Sequence, residues 1–261
     1  MNIIINNTQK AELFAHLFQH IKLFTEQINI CFESERMYIQ TMDNSRISIL
    51  EIVIPKDWFH EYTVTESITI GINVNIFYRV LNSREKAQQL RISLTDKDTD
   101  KLQVFLTGES KDEFNKHFEL ALIDIDAELI EIPEIEYQAD FTVGSANFSN
   151  IINQLKTFGD NLDINCTEEK ITLYSSSIEQ GKMVCEIKID DLSSFAINEG
   201  ETVSSGYSLN YLHNICLYNK LSKEIDIKIS ADYPMKIIYK LFGNDNATMT
   251  FFLAPKINDE E

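Results

Sequence analysis

Two pairs of side chains in this 261-residue sequence have a spacing that can support chemistry. Asp124 and Asp126 alternate along one segment, as paired carboxylates do for general acid–base work or a divalent metal. His16 and His20 stand four apart, which on a helix puts two imidazoles within reach of one metal ion. Neither pair is completed. Nothing apolar encloses the two aspartates, so solvated charge is the expectation there. No third ligand accompanies the histidines, and His20 falls at the edge of an apolar stripe, so a solvent-facing pair is expected rather than a metal site. The four cysteines, Cys31, Cys166, Cys185 and Cys216, are widely spread with no CxxC pair, and read as reduced, buried thiols of an intracellular protein. Glycine-rich phosphate loops, the GxSxG elbow and HExxH are absent. No enzyme, cofactor or metal is expected.

The elements that would position any site belong to an ordinary globular chain, 44% hydrophobic and 25% charged. Its longest apolar runs are four or five residues, too short to span a bilayer, so no membrane partner is expected. The first residues lack the basic and apolar regions of a signal peptide. Charge is more informative: 41 acids against 23 Lys and Arg leave −18, with pI ≈ 4.7. A surface that grips phosphates draws affinity from counterion release and needs a basic footprint, which excludes a conventional nucleic-acid binder. Retention by topology has no such requirement.

The chain also repeats itself. A shift of 134 lays Phe14, Leu17, Phe18, Ile21 and Phe24 on Phe148, Ile151, Ile152, Leu155 and Phe158. The same shift lays Ile28–Ile30 on Leu162–Ile164 and Met37–Ile39 on Ile171–Leu173. A shift of 135 lays Gly71–Asn75 on Gly206–Asn210 and Leu90–Leu94 on Ile225–Ile229. Four helices are expected near residues 9–24, 74–83, 146–157 and 209–219. Alternating strands are expected at Ile28–Phe32 and Asp226–Ser230, with others at Ile47–Ile54, Leu102–Leu106, Lys170–Tyr174, Val184–Ile189 and Met249–Leu253. Each half carries two helices and a meandering sheet, an α+β plan. The halves are 1–122 and 138–261, and 123–137 is the connector between them. Pro133 and acids at alternating positions suit an extended, solvated connector better than a central strand.

Four motifs in this duplicated frame carry a resemblance: Gln40-Thr41-Met42-Asp43-Asn44-Ser45, Ile132-Pro133-Glu134-Ile135-Glu136-Tyr137, Asp232-Tyr233-Pro234, and Leu253-Ala254-Pro255-Lys256-Ile257 running into the acidic Asp259-Glu260-Glu261. Over essentially the whole chain the sequence is similar to the proliferating cell nuclear antigen family, the eukaryotic-type DNA sliding clamps. The resemblance implies the duplicated clamp (processivity) fold, with antiparallel sheets outside, four helices inside, and three chains closing head-to-tail into a ring around double-stranded DNA. It further implies a non-enzymatic processivity factor for replication and repair. Its partners would be a DNA polymerase, an ATP-driven clamp loader and other proteins carrying a short clamp-binding peptide. The docking pocket implied for that peptide comprises Met42, Ile47, Ile49, Ile130, Ile132, Pro133, Tyr137, Pro234, Phe252, Ala254 and Pro255. Phe252 takes a place where relatives often have tyrosine, removing one hydroxyl from the pocket. The implied subunit contact pairs Glu113–Leu122, with Phe114, Phe118 and Leu120, against Gly181–Ile187 of the next chain, with Met183 and Cys185. From the residues alone, each segment could equally be an internal strand.

Opposite the apolar stripes, the helices present His16, Gln19 and Lys22; Asn75, Arg79 and Asn82; Asn150, Asn153 and Lys156; and Asn210, Asn214 and Lys220. Relatives line this DNA-facing surface with lysine and arginine. Here asparagine dominates, which predicts weak contacts and a shallow salt dependence; a chain-wide bias toward Asn and Ile accounts for it equally well. The lysine that relatives modify aligns with Glu168, with Lys170 nearby on the same turn. A subunit of a heterotrimeric checkpoint-type clamp and a monomeric processivity factor are the alternatives to a homotrimer. Nuclear location is the family default, and a cytoplasmic replication site would suit a viral member.

Overall fold

The computed structural model describes residues 1–95, 98–108, 114–217 and 219–256. Two compact units emerge, one of Met1–Asn44, Leu50–Ile130 and Leu241–Thr248, the other of Ser45–Ile49, Glu131–Lys240 and Met249–Glu261.

The first unit runs β1 (Asn2–Ile5), α1 (Thr8–Phe24), β2 (Gln27–Phe32), β3 (Arg36–Met42), most of β4 (Ser48–Pro55), β5 (Glu61–Thr63), β6 (Ile68–Asn73), α2 (Val74–Asn82), β7 (Gln89–Thr95), β8 (Asp98–Thr107) and β9 (Lys116–Ala121). Its strands lie in the orders β5-β1-β7-β8-β9 and β6-β2-β3-β4. The helices form because apolar residues recur every three or four positions. Phe14, Leu17, Phe18 and Ile21 of α1 and Val74, Phe77, Val80 and Leu81 of α2 are buried, and the Phe18 and Phe77 rings meet edge-on at 4.6 Å. Each helix starts on an asparagine cap: the Asn7 side chain accepts from Lys10 N and that of Asn73 from Ile76 N, both at 3.0 Å.

The second unit repeats this plan: β10 (Ala139–Gly144), α3 (Ser145–Leu155), β11 (Asn161–Cys166), β12 (Lys170–Ser177), β13 (Gly181–Lys188), β14 (Ser194–Ile197), β15 (Val203–Ser208), α4 (Leu209–Cys216), β16 (Glu224–Ser230), β17 (Tyr233–Lys240) and β18 (Thr248–Leu253). The orders β14-β10-β16-β17-β18 and β15-β11-β12-β13 correspond strand for strand to those of the first unit. Register is repeated too. Gly71 of β6 stands opposite Asn29 of β2, and Gly206 of β15 stands opposite Asp163 of β11. The offset of 134 to 135 in sequence is thus a duplication in three dimensions.

The expected helix over 209–219 ends earlier, at Cys216. Carbonyls beyond it serve another element: Ser145 Oγ, at the start of α3, donates toward Asn219 O and Lys223 O at 3.1 Å, and Ser145 N donates to Lys223 O at 2.9 Å. Lys220 therefore lies on a turn after α4 rather than on its exposed face. Similarly, α3 ends at Leu155 and Lys156 is its C-cap residue.

No regular element lies between Ile123 and Ala139 among the described residues. The connector is nonetheless tied down within the first unit. Ile123 N donates to Gly71 O at 2.9 Å, and Asn29 Nδ2 donates to Ile125 O at 3.0 Å. Gln40 brackets Ile130, donating to its carbonyl at 2.9 Å and accepting from its amide at 2.6 Å.

Candidate docking and nucleic-acid surfaces

The residues expected to dock a peptide distribute over both units. In the first, Met42 ends β3 half-buried and Ile130 is exposed. Gln40, which holds Ile130, is itself fixed by donating to Tyr38 Oη at 3.1 Å, and that hydroxyl donates to Glu51 Oε1 at 2.9 Å. The Tyr38 hydroxyl titrates well above its ordinary range, because burial and the Glu51 hydrogen bond both disfavour a phenolate. Glu51, Tyr38 and Gln40 thus form a relay from β4 to the connector. In sequence Gln40 stands out only as part of a motif, with no sign of this role.

In the second unit, Ala254 N donates to Ile47 O at 3.0 Å. Tyr137 Oη donates to Pro234 O at 3.3 Å, with burial raising the phenol's pKa. Lys236 Nζ sits 5.4 Å from the centroid of Phe252. Phe252 is buried; Ile49, Ile132, Tyr137, Pro234, Ala254 and Pro255 are half-buried; Ile47 and Pro133 are exposed. Apolar side chains close to solvent, backed by the buried strand β18, suit an aliphatic or aromatic anchor of a short peptide. Ile257 and the acidic tail lie outside the described residues.

The helix faces expected to meet DNA are polar and solvent-accessible. Arg79, Asn82, Asn150, Asn153, Asn210, Asn214 and Lys220 are exposed, and His16, Gln19, Lys22, Asn75 and Lys156 half-buried. Local partners order several of them. His16 Nδ1 and Gln19 Oε1 are 3.1 Å apart, and His16 Nε2 lies 3.7 Å from Glu12. Lys22 Nζ rests 4.5 Å from the Tyr78 ring centroid, and the Tyr78 hydroxyl reaches Asn82 Oδ1 at 3.4 Å. The expected solvent-facing pair of His16 and His20 is not found: His20 is 3% exposed. Three positions after Leu17, it extends the buried stripe of α1. His213 escaped the sequence analysis, although its place three residues after Asn210 puts it on the same face of α4. Its pKa is lowered first by burial and then by the Lys156 charge, both of which favour the neutral ring.

Both segments expected at the subunit contact are sheet edges. β9 ends the sheet β5-β1-β7-β8-β9, and β13 ends β15-β11-β12-β13. Phe118 and Leu120 on β9, and Met183 and Cys185 on β13, are half-buried and alternate with exposed residues. Phe114 is exposed just before β9, and Glu113 lies outside the described residues. Glu168, expected in place of a modifiable lysine, accepts from Gly200 N at 2.8 Å; Lys170 pairs with Glu186.

Two units of one plan, each with two helices and antiparallel sheets, define the fold of a DNA sliding clamp. Known proteins agree. The proliferating cell nuclear antigen N-terminal domain matches residues 4–129 and the C-terminal domain residues 131–256. The chain is 26% identical over 257 residues to proliferating cell nuclear antigen of Chaetomium thermophilum, covering 97% of this chain and 98% of the relative. It is 25% identical over 257 residues to that of Saccharomyces cerevisiae, with the same coverage. A solved PCNA2–PCNA3 complex from Sulfolobus tokodaii superposes with TM-score 0.83 at 25% identity, covering 98% of this chain and 99% of the other. This chain belongs to the proliferating cell nuclear antigen family of DNA sliding clamps. The family consists of non-enzymatic scaffolds for DNA replication.

Proposed function

We propose that three copies of this chain close head-to-tail around duplex DNA and tether replication and repair proteins. The observation that carries this reading is the pair of open edges. β9 and β13 each pair on one side only among the described residues, and carry half-buried apolar side chains. An exposed edge strand is an aggregation hazard unless it is covered. Edges of two different sheets make a heterologous contact, which must close into a ring or grow into a filament. Closure by three follows the family resemblance. Ring retention also reconciles a charge of −18 with DNA as the partner, because it requires little affinity for phosphate.

The helix faces carrying Arg79, Asn82, Asn150, Asn153, Asn210 and Asn214 line the pore in this reading. Phe252, Pro234, Tyr137 and Ile47, with the other pocket residues the resemblance assigns, receive a clamp-binding peptide. Tethering keeps a dissociated polymerase at high effective concentration near its template. The work is nuclear, or cytoplasmic for a viral member.

A heteromeric ring is the second reading, favoured by the Sulfolobus tokodaii neighbour, a complex of two different clamp chains. Loading with a clamp loader and ATP onto nicked circular plasmid tests the ring itself. Protein retained on the circle should be lost when the plasmid is linearised; equal retention on both forms would reject encirclement.

A further inference from the structure

On the outward face of β17 in the second unit, half-buried Pro234, Lys236, Ile238 and Lys240 alternate with buried Met235, Ile237 and Tyr239. Lys240 is neutralised there, its Nζ lying 3.1 Å from Asp226 Oδ2. Lys236 is not. It stands directly opposite Lys228 of β16, and both lysines are half-buried on the same face. Neither is paired with a carboxylate among the described residues, in a chain with 41 acids against 23 Lys and Arg. Asp140 of β10 faces Lys228 from the other side, without closing an ion pair. Beyond Lys236, toward β18, the surface is apolar: its Nζ is 5.4 Å from the Phe252 ring centroid, and Pro234 precedes it on the same face.

Like charges directly opposite each other in an antiparallel pair are destabilising. The fold does not demand them: the duplicated position in the first unit pairs Ser93 with Gln103, both uncharged and buried. An anion placed between the two ammonium groups removes the repulsion and gains two charge-assisted hydrogen bonds. The apolar surface beside them, Pro234 and Phe252, is the one assigned above to a clamp-binding peptide. We propose that Lys228 and Lys236 together receive a carboxylate that the docked peptide carries next to its apolar anchor. The inference rests on the docking reading and adds a charge requirement to it. A neutral or basic residue at that place leaves the lysine pair uncompensated, so the pair selects among partners that share the same apolar anchors.

Fluorescently labelled peptides with one aliphatic and two aromatic anchors test this on the full-length protein. Glutamate is placed in turn at each position flanking the aromatics, and each peptide is compared with its glutamine twin by fluorescence anisotropy at low salt. The expected result is at least one position where glutamate binds about threefold tighter or more. That preference should fade at about 0.5 M sodium chloride, where screening is strong. In Lys236→Gln the ratio should fall to near unity, and Lys236→Arg should keep it. Lys236→Gln also takes a cation from the Phe252 ring, so Lys228→Gln, which leaves that contact in place, should lower the ratio as well. Reading the ratio rather than the affinity cancels any loss of apolar packing. Equal binding of the glutamate and glutamine peptides at every position would overturn the carboxylate proposal and leave docking standing. A preference unchanged in either glutamine variant would overturn the proposed bridge. Absence of binding by every peptide would overturn the docking reading itself, and this inference with it.

Discussion

The amide of Ile123 donates to the carbonyl of Gly71 at 2.9 Å, and the second half repeats the arrangement, with Lys256 N donating to Gly206 O at 2.8 Å. The two glycines are 135 residues apart and hold the same register in β6 and β15. In both halves the chain leaving the last strand folds back onto the strand that precedes the second helix.

The two glycines differ in how close that chain comes. A Cβ on Gly71 would overlap the carbonyl oxygen of Ile123, whereas one on Gly206 would meet nothing nearer than Asp163 Oδ1 at 3.4 Å. Gly71→Ala should therefore cost about 3 kcal/mol of stability, and Gly206→Ala no more than about 1 kcal/mol. Urea unfolding of the two variants checks this; equal costs would mean that the Ile123 contact does not constrain the fold.

Gln40 should control the connector. Gln40→Ala removes both hydrogen bonds to Ile130 and leaves the Tyr38 hydroxyl with one partner fewer. The expected loss is about 1–2 kcal/mol of local stability. Hydrogen exchange at the Ile130 amide should quicken about tenfold or more while strand amides stay protected. The proposed peptide docking should weaken in parallel, measured by calorimetry.

Cys185 reports on the proposed closure. Cys166 and Cys216 are buried, with thiols pushed up to about 12, and should resist alkylation in the native protein. Cys185 is half-buried on β13, with burial raising its thiol less. Iodoacetamide should modify it slowly in the assembled ring and several-fold faster in Phe118→Glu, which places a charge on the opposing edge. Identical rates would remove β13 from the contact.

His213 should titrate below 6.5, its pKa lowered by burial and secondarily by Lys156. Well above pH 6.5 the ring is neutral in both folded and unfolded chains and contributes no pH dependence. As pH falls through 6.5, the unfolded state takes the proton first, so stability declines until the folded-state pKa is passed. Lys156→Gln should recover only the smaller part of the shift, read from the His213 ring-proton titration.

The asparagine-rich helix faces should give a shallow salt dependence. Of the cationic residues there, Lys22 already lies on the Tyr78 ring. Asn82→Lys or Asn153→Lys should each steepen the slope of log K against log salt for duplex DNA, by about 0.9 for every phosphate the new ammonium neutralises. Unchanged slopes in both variants would place these faces away from DNA.

Much of this architecture was legible in sequence because the periodicities are strong. Phe14, Leu17, Phe18 and Ile21 announce α1, and the matched offsets of Gly71 with Gly206 announce the duplication. What escaped depends on contacts distant in sequence. The early end of α4 follows from Ser145 drawing on carbonyls 74 and 78 positions away. The hold of Gln40 on Ile130 spans 90 positions. His20 was misplaced because a polar residue on the flank of an apolar stripe is ambiguous until the packed neighbour is known. The edge positions of β9 and β13 were equally unreadable, since an alternating pattern does not reveal whether a strand has one neighbour or two.

The most direct test of the proposed ring is the mass of the purified chain in solution, by light scattering across micromolar dilution at two salt concentrations. Three chains at −18 each bring −54, so self-repulsion favours assembly at the higher salt. A species near three times 30.2 kDa that persists on dilution in moderate salt is the expected result. A monomer of 30.2 kDa under every condition would contradict self-closure through β9 and β13.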